Sequence, residues 1–118
     1  MKDTRIAIIG LGRLGQFLLE RLLGLGDAGP HIVCAVETGE DTGRRKADAL
    51  GIALVSIDEL VRLGEDVDVI FALTDDAVMP SQLRQILVAT GNQHTQVLSE
   101  KDLRLIGMLV DGRQDCPA

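Results

Sequence analysis

Apolar residues fall along this chain in two rhythms that alternate from end to end. The runs at residues 5–9, 31–36 and 67–73 are nearly unbroken, which fits strands buried on both faces. Between them, apolar positions recur every three or four residues. Leu14, Phe17, Leu18 and Leu22 predict one face of a helix over 12–23. Leu83, Ile86 and Leu87 predict the inner face of another from Pro80 to about residue 89. Further strands are expected at 53–55 and 95–98, and helices at 42–50, 57–63 and 101–110.

The punctuation agrees with this parsing. Gly24, Gly26, Gly29 and Pro30 break the first helix, and Gly51 closes the second. Ser56 with Glu59 three residues on is a capping box, and Gly64 ends the helix it opens. Pro80 suits a first helical turn, Gly91 and Asn92 stop that helix, and Gly112 ends the last. Alternating strands and helices with apolar strands predict an α/β fold. The expected form is a doubly wound parallel sheet of about five strands, order 3-2-1-4-5, with helices on both faces. Residues 1–111 are expected to form one domain and 112–118 a loose tail.

The first strand runs directly into Gly10-Leu-Gly12-Arg-Leu-Gly15, a helix follows, and Glu37 closes the second strand 22 residues past Gly15. A strand, a G-x-G-x-x-G turn, a helix and a later acid are the context of a dinucleotide-binding unit of the Rossmann type. Gly10 permits the tight turn, Gly12 lets a diphosphate approach the backbone, and Gly15 lets the helix lie against the strand. The helix start directs its free N–H groups at the phosphates. The simpler alternative is a tight strand-to-helix turn with no ligand.

In such a sheet the ligand lies beyond the carboxyl ends of the strands. The expected cofactor-binding residues are therefore Gly10, Leu11, Gly12, Arg13, Leu14, Gly15, Glu37, Leu73, Thr74, Asp75 and Glu100. Glu37 would accept from the ribose hydroxyls and repel a 2′-phosphate, favouring NAD over NADP. Arg44, Arg45 and Lys46 either pair with a phosphate or form a solvated helix face. Asp75 and Asp76 read better as a cap for the next helix than as an acid–base pair.

Composition narrows the partners. The 118 residues carry a net charge of −6, and the aromatic residues are two Phe with no Tyr or Trp. Neither feature suits a nucleic-acid partner. The local loop amides should outweigh the negative surface, whose charges are screened beyond about 8 Å. Two cysteines, Cys34 and Cys116, make no disulfide framework, and Cys34 reads as a small core residue. His31 and His94 stand apart from any metal-ligand spacing, so no metal is expected. No apolar stretch approaches the ~20 residues that span a bilayer. The chain is expected to be soluble and cytoplasmic, with no membrane partner.

Three segments, IAIIGLGRLG, AVE with its later ALG, and DVDVIFALT with QVLSEKDL, resemble the nucleotide-binding half of the glucose–fructose oxidoreductase and inositol dehydrogenase family. The resemblance implies an NAD(P)-binding Rossmann domain of an oxidoreductase. It places Glu100 and Lys101 on the family's E-K-P, with Asp102 in the proline's position and Thr74-Asp75-Asp76 in place of T-P-N. By that resemblance Lys101 is the catalytic candidate, against its reading as a solvated lysine. Members of the family carry a second, substrate-holding domain, so catalysis would need such a domain or a partner chain. Homoserine and aspartate dehydrogenases are similar in the first half. GLGRLG and LTDDAV also resemble the dinucleotide-sensing domains of potassium-transport regulators. Three functions remain open at this point: an oxidoreductase cofactor domain, a regulatory sensor, and a stand-alone module without turnover. A homodimer is expected in view of the aliphatic-rich surface.

Overall fold

The computed structural model describes residues 3–37, 41–74 and 78–111. Four strands, β1 (Arg5–Ile9), β2 (His31–Val36), β3 (Val69–Ala72) and β4 (Gln96–Ser99), form one parallel sheet in the order β2-β1-β3-β4. Around it lie α1 (Arg13–Leu23), α2 (Asp41–Ala49), α3 (Ile57–Leu63), α4 (Met79–Ala89) and α5 (Glu100–Asp111). The doubly wound α/β class expected from the alternation is therefore present.

The fifth strand, expected at 53–55, is reduced to a single bridge between Ala35 and Leu54. Two bonds make it, Ala35 N to Ala53 O and Val55 N to Ala35 O, each 2.9 Å. The segment lies where order 3-2-1-4-5 put it, outside β2. Ile52 still bonds back to Ala47 O at the end of α2, and Ser56 already caps α3. Only three residues separate those two helix ends, too few for a ladder.

Each face of the sheet has its own core. On one, Ala7, Ile9, Cys34, Val36, Ile70, Ala72 and Val97 meet Leu60 of α3 and Leu83 and Leu87 of α4. On the other, Ile6, Ile8, Ile32, Ala35 and Phe71 meet Leu14 and Leu19 of α1 and Ala47 of α2. The pairing of β1 with β2 slips between Ile6 and Ala7, whose partners are Ile32 and Cys34. Val33 is the extra residue, and it packs on the same side as Cys34. This bulge is why Ile32 and Ala35, three apart, share a face.

Two inner-face expectations need correction. Phe17 is 38% exposed and lies under the Arg21 guanidinium, 5.5 Å from the ring centre, while Leu19 takes the fully buried position. Ile86 is 43% exposed, because Pro80, Leu83 and Leu87 form the buried stripe of α4. The N-cap of α4 is Val78 rather than an aspartate. Asp75 and Asp76 lie outside the described residues, as do Cys116 and the tail at 112–118. Cys34 is buried and free, and burial pushes its thiol pKa up, with Glu59 adding to the effect. Among the described residues, no helix is long and apolar enough to cross a membrane.

Candidate functional site

The site grows from the ends of β1, β2 and β3. Pairing persists one residue past β1: Gly10 N donates to Val36 O and Leu73 N donates to Ile9 O, both at 2.8 Å. The chain then turns sharply at Gly10, where φ is +91°. A β-carbon there would stand 2.9 Å from Leu73 O and 3.2 Å from Thr74 Cγ2, so both conformation and space require glycine. A β-carbon on Gly15 would overlap Gly10 O, which is how closely α1 lies on the turn.

Gly12 differs. It is the N-cap of α1 in extended backbone, and a β-carbon would meet no atom within 4 Å. Among the described residues its amide donates to nothing. Neither conformation nor internal packing accounts for a glycine here. The space over it is open, at a helix start that favours anions.

Leu11, between these glycines, is held from several directions. Its amide donates to Glu37 Oε1 at 2.5 Å, and its carbonyl accepts from Gln16 Nε2 at 3.0 Å. Its side chain is buried, as is that of Leu14. Leu14 can therefore reach the site only through its backbone, whereas both backbone groups of Leu11 are already bonded within the protein. Arg13 is exposed on the first turn of α1.

Glu37 follows β2 and turns toward the glycine loop. Its own carbonyl accepts from Arg44 Nη1 at 2.7 Å. Arg44 and Arg45 are exposed on α2, whereas Lys46 is ion-paired with Glu20 of α1. A β-carbon on Gly43 would overlap Leu11 O and approach Leu11 Cβ to 2.6 Å, so α2 begins in contact with the loop.

A cleft of about 230 Å³ opens beside the turn, lined by Ile9, Gly10, Val36, Glu37, Ile57, Thr74 and Met79. The Thr74 hydroxyl is buried here, with no hydrogen-bond partner among the described residues. An unpaired buried hydroxyl costs roughly 1–3 kcal/mol, which a ligand acceptor or donor would offset. Leu73 is buried beneath it.

Glu100 and Lys101 begin α5 at the same end of the sheet, two strands away from β1, and neither lines this cleft. The Glu100 carboxylate accepts from Arg104 Nη2 at 2.6 Å, and Lys101 is exposed. Ser99 and Asp102 form a reciprocal cap, with Ser99 N donating to Asp102 Oδ2 at 2.9 Å and Asp102 N to Ser99 Oγ at 3.2 Å. Those bonds from Ser99 hold the Asp102 carboxyl below its usual range, with help from Arg84. The S-x-x-D pattern was the available sign of this cap. Gly43, a glycine inside a helical stretch, was the available sign of close packing. No local pattern marked Gln16. Among the described residues no cluster of His, Cys, Asp or Glu could hold a metal ion.

The family described as NADP oxidoreductase coenzyme F420-dependent matches residues 5–99. No curated protein matches the sequence. Solved structures share the fold at low identity. An NADP oxidoreductase assignment from Bacteroides fragilis has a TM-score of 0.60 and 20% identity, covering 83% of this chain and 36% of that one. Glutamyl-tRNA reductase from Methanopyrus kandleri has a TM-score of 0.61 and 20% identity, covering 97% of this chain and 34% of the other. UDP-D-quinovosamine 4-dehydrogenase from Vibrio fischeri has a TM-score of 0.55 and 20% identity, covering 93% and 85%. The chain thus spans about a third of the first two proteins. The resemblance to an NAD(P)-binding oxidoreductase domain holds at that level, but the matched family is not the glucose–fructose oxidoreductase and inositol dehydrogenase family. An oxidoreductase family also disfavours the sensing-domain alternative. The chain belongs to the family described as NADP oxidoreductase coenzyme F420-dependent, and it is an NAD(P)-binding Rossmann domain.

Proposed function

We propose that this chain holds the dinucleotide of an oxidoreductase, with the diphosphate over Gly12 and the adenosine ribose on Glu37. The observation that carries the reading is Gly12, a glycine with open space above it and an amide without a partner among the described residues. The Thr74 hydroxyl in the adjoining cleft, unpaired among the described residues, supports it, since a ribose or carboxamide group would satisfy that atom. The bound nicotinamide supplies hydride transfer. The residues of this chain bind and orient it: Gly10, Leu11 and Gly15 shape the turn, Arg13 and Leu14 contribute the first helical turn, and Leu73 supports Thr74.

The Glu37 carboxylate gives NAD the advantage over NADP, because a 2′-phosphate would meet like charge. The Arg44 guanidinium beside Glu37 could answer that phosphate, and it is bonded to the Glu37 carbonyl. The family description names NADP, so the preference is open to a direct test. Calorimetric titration with both nucleotides should give tighter binding of NAD. Tighter binding of NADP would reverse the assignment, and no binding of either would end the reading.

A cleft of about 230 Å³ is smaller than the roughly 300–1,000 Å³ of small-molecule pockets. It suits part of a dinucleotide. A substrate domain or a partner chain would have to hold the second reactant. Lys101 would face that reactant from the first turn of α5, with Glu100 beside it. Residues 1–111 would form the domain, working in the cytoplasm as a homodimer or with that partner.

A further inference from the structure

The backbone of Leu11 is gripped at both ends. Its N–H is taken by Glu37 Oε1 at 2.5 Å and its C=O by Gln16 Nε2 at 3.0 Å. In a trans peptide the carbonyl of one residue and the N–H of the next point in opposite directions. The Leu11 carbonyl turns inward, toward Gln16 and Gly43. The Gly12 N–H therefore turns away from them, and no protein atom answers it among the described residues.

We propose that Gln16 is a positioning residue for the diphosphate: its bond to Leu11 O fixes the Leu11–Gly12 peptide so that the Gly12 amide, not the Leu11 carbonyl, faces the ligand. The inference rests on the dinucleotide reading above. Glycine on one side of that peptide makes its rotation easy. A flipped peptide would present an oxygen to a diphosphate, replacing attraction with repulsion. Gln16 is one turn into α1, so the helix that follows the loop also sets the loop's polarity. Glu37 secures the other side of Leu11, which ties the ribose-binding acid to the same peptide.

The test uses the full chain and the variants Gln16→Met, which keeps length but loses the donor, and Gln16→Lys, which restores one. Gln16→Met should bind NAD about three- to tenfold more weakly, the net worth of one hydrogen bond. Adenosine, which lacks the diphosphate, should bind as before, and Gln16→Lys should recover most of the loss. In amide-resolved NMR, inorganic pyrophosphate should shift the Gly12 signal in the wild type and the Lys variant far more than in the Met variant. Unchanged NAD affinity in Gln16→Met overturns the proposal, as does equal loss of NAD and adenosine. A wild-type chain that binds neither nucleotide removes the proposed function. If its Gly12 amide also ignores pyrophosphate, the role of Gln16 falls separately.

Discussion

Glu37 Oε1 accepts the Leu11 amide at 2.5 Å, a bond that joins residues 26 apart in sequence. It closes the end of β2 onto the turn after β1. The carboxylate that would select the ribose also helps build the loop that would hold the phosphates.

Replacing Glu37 by Gln should therefore have two effects. A charge-assisted bond is worth roughly 1.5–3 kcal/mol, and the amide oxygen of Gln would retain part of it. Unfolding by urea should show a loss on the order of 1 kcal/mol. Titration with both nucleotides should show NADP gaining on NAD, since the repelling charge is gone. An unchanged ratio would mean that Glu37 does not approach the 2′ position.

Gly12 and Gly43 should respond oppositely to alanine. Gly12→Ala places a methyl in open space at an ordinary φ of −72°, so stability should stay within about 0.5 kcal/mol of wild type while NAD affinity falls. Gly43→Ala drives a methyl into Leu11 O, and backbone must move, costing roughly 1–3 kcal/mol. Paired denaturation and calorimetry would check both. Full NAD binding by Gly12→Ala would contradict the diphosphate position.

At the opposite end of the sheet, Asp68 Oδ2 accepts the Arg5 amide at 2.7 Å and Asp68 Oδ1 meets His94 Nε2 at 2.6 Å. The bond from His94, then that from Arg5, hold its carboxyl below the usual value. A depressed carboxyl pKa stabilises the fold above the unfolded value and ceases to do so as pH falls through the folded value. The stability advantage of wild type over Asp68→Asn should therefore be full near neutrality. It should shrink as the pH falls below the ordinary carboxyl value of 3.8. Urea midpoints across acidic pH would show this, and a gap that widens with acid would refute it.

The outer edge of β4 is closed by side chains. Gln96 N donates inward to Asp68 O, so by alternation Val97 and Ser99 turn their backbone groups outward. Arg84 Nη2 takes Val97 O at 2.8 Å, Asp102 takes Ser99 N, and the two side chains stand 3.6 Å apart. Arg84→Ala should free this edge and raise self-association in sedimentation, with a stability change of at most about 1 kcal/mol for so exposed a pair. An unaltered sedimentation profile would mean that Arg84 is not the guard.

The sequence by itself determined the features that depend on near neighbours. Apolar period separated strands from helices, the Ser56–Glu59 cap formed with bonds of 3.1 and 3.2 Å, and the turn at Gly10 follows from three spaced glycines. Tertiary structure decided what depends on distant backbone meeting. The bulge at Val33 changes which β2 residues share a face, and two adjoining helix ends shrink 53–55 to one bridge. Phe17 and Ile86 satisfy a helical period yet stay half exposed, because the sheet has room for only one stripe of each helix. The motif brought Glu37 to the glycine loop, but only packing shows its carboxylate on the Leu11 amide and Gln16 on the Leu11 carbonyl. Local pattern encodes dihedral preference and burial, whereas the aim of a single peptide is set by groups that folding brings to it.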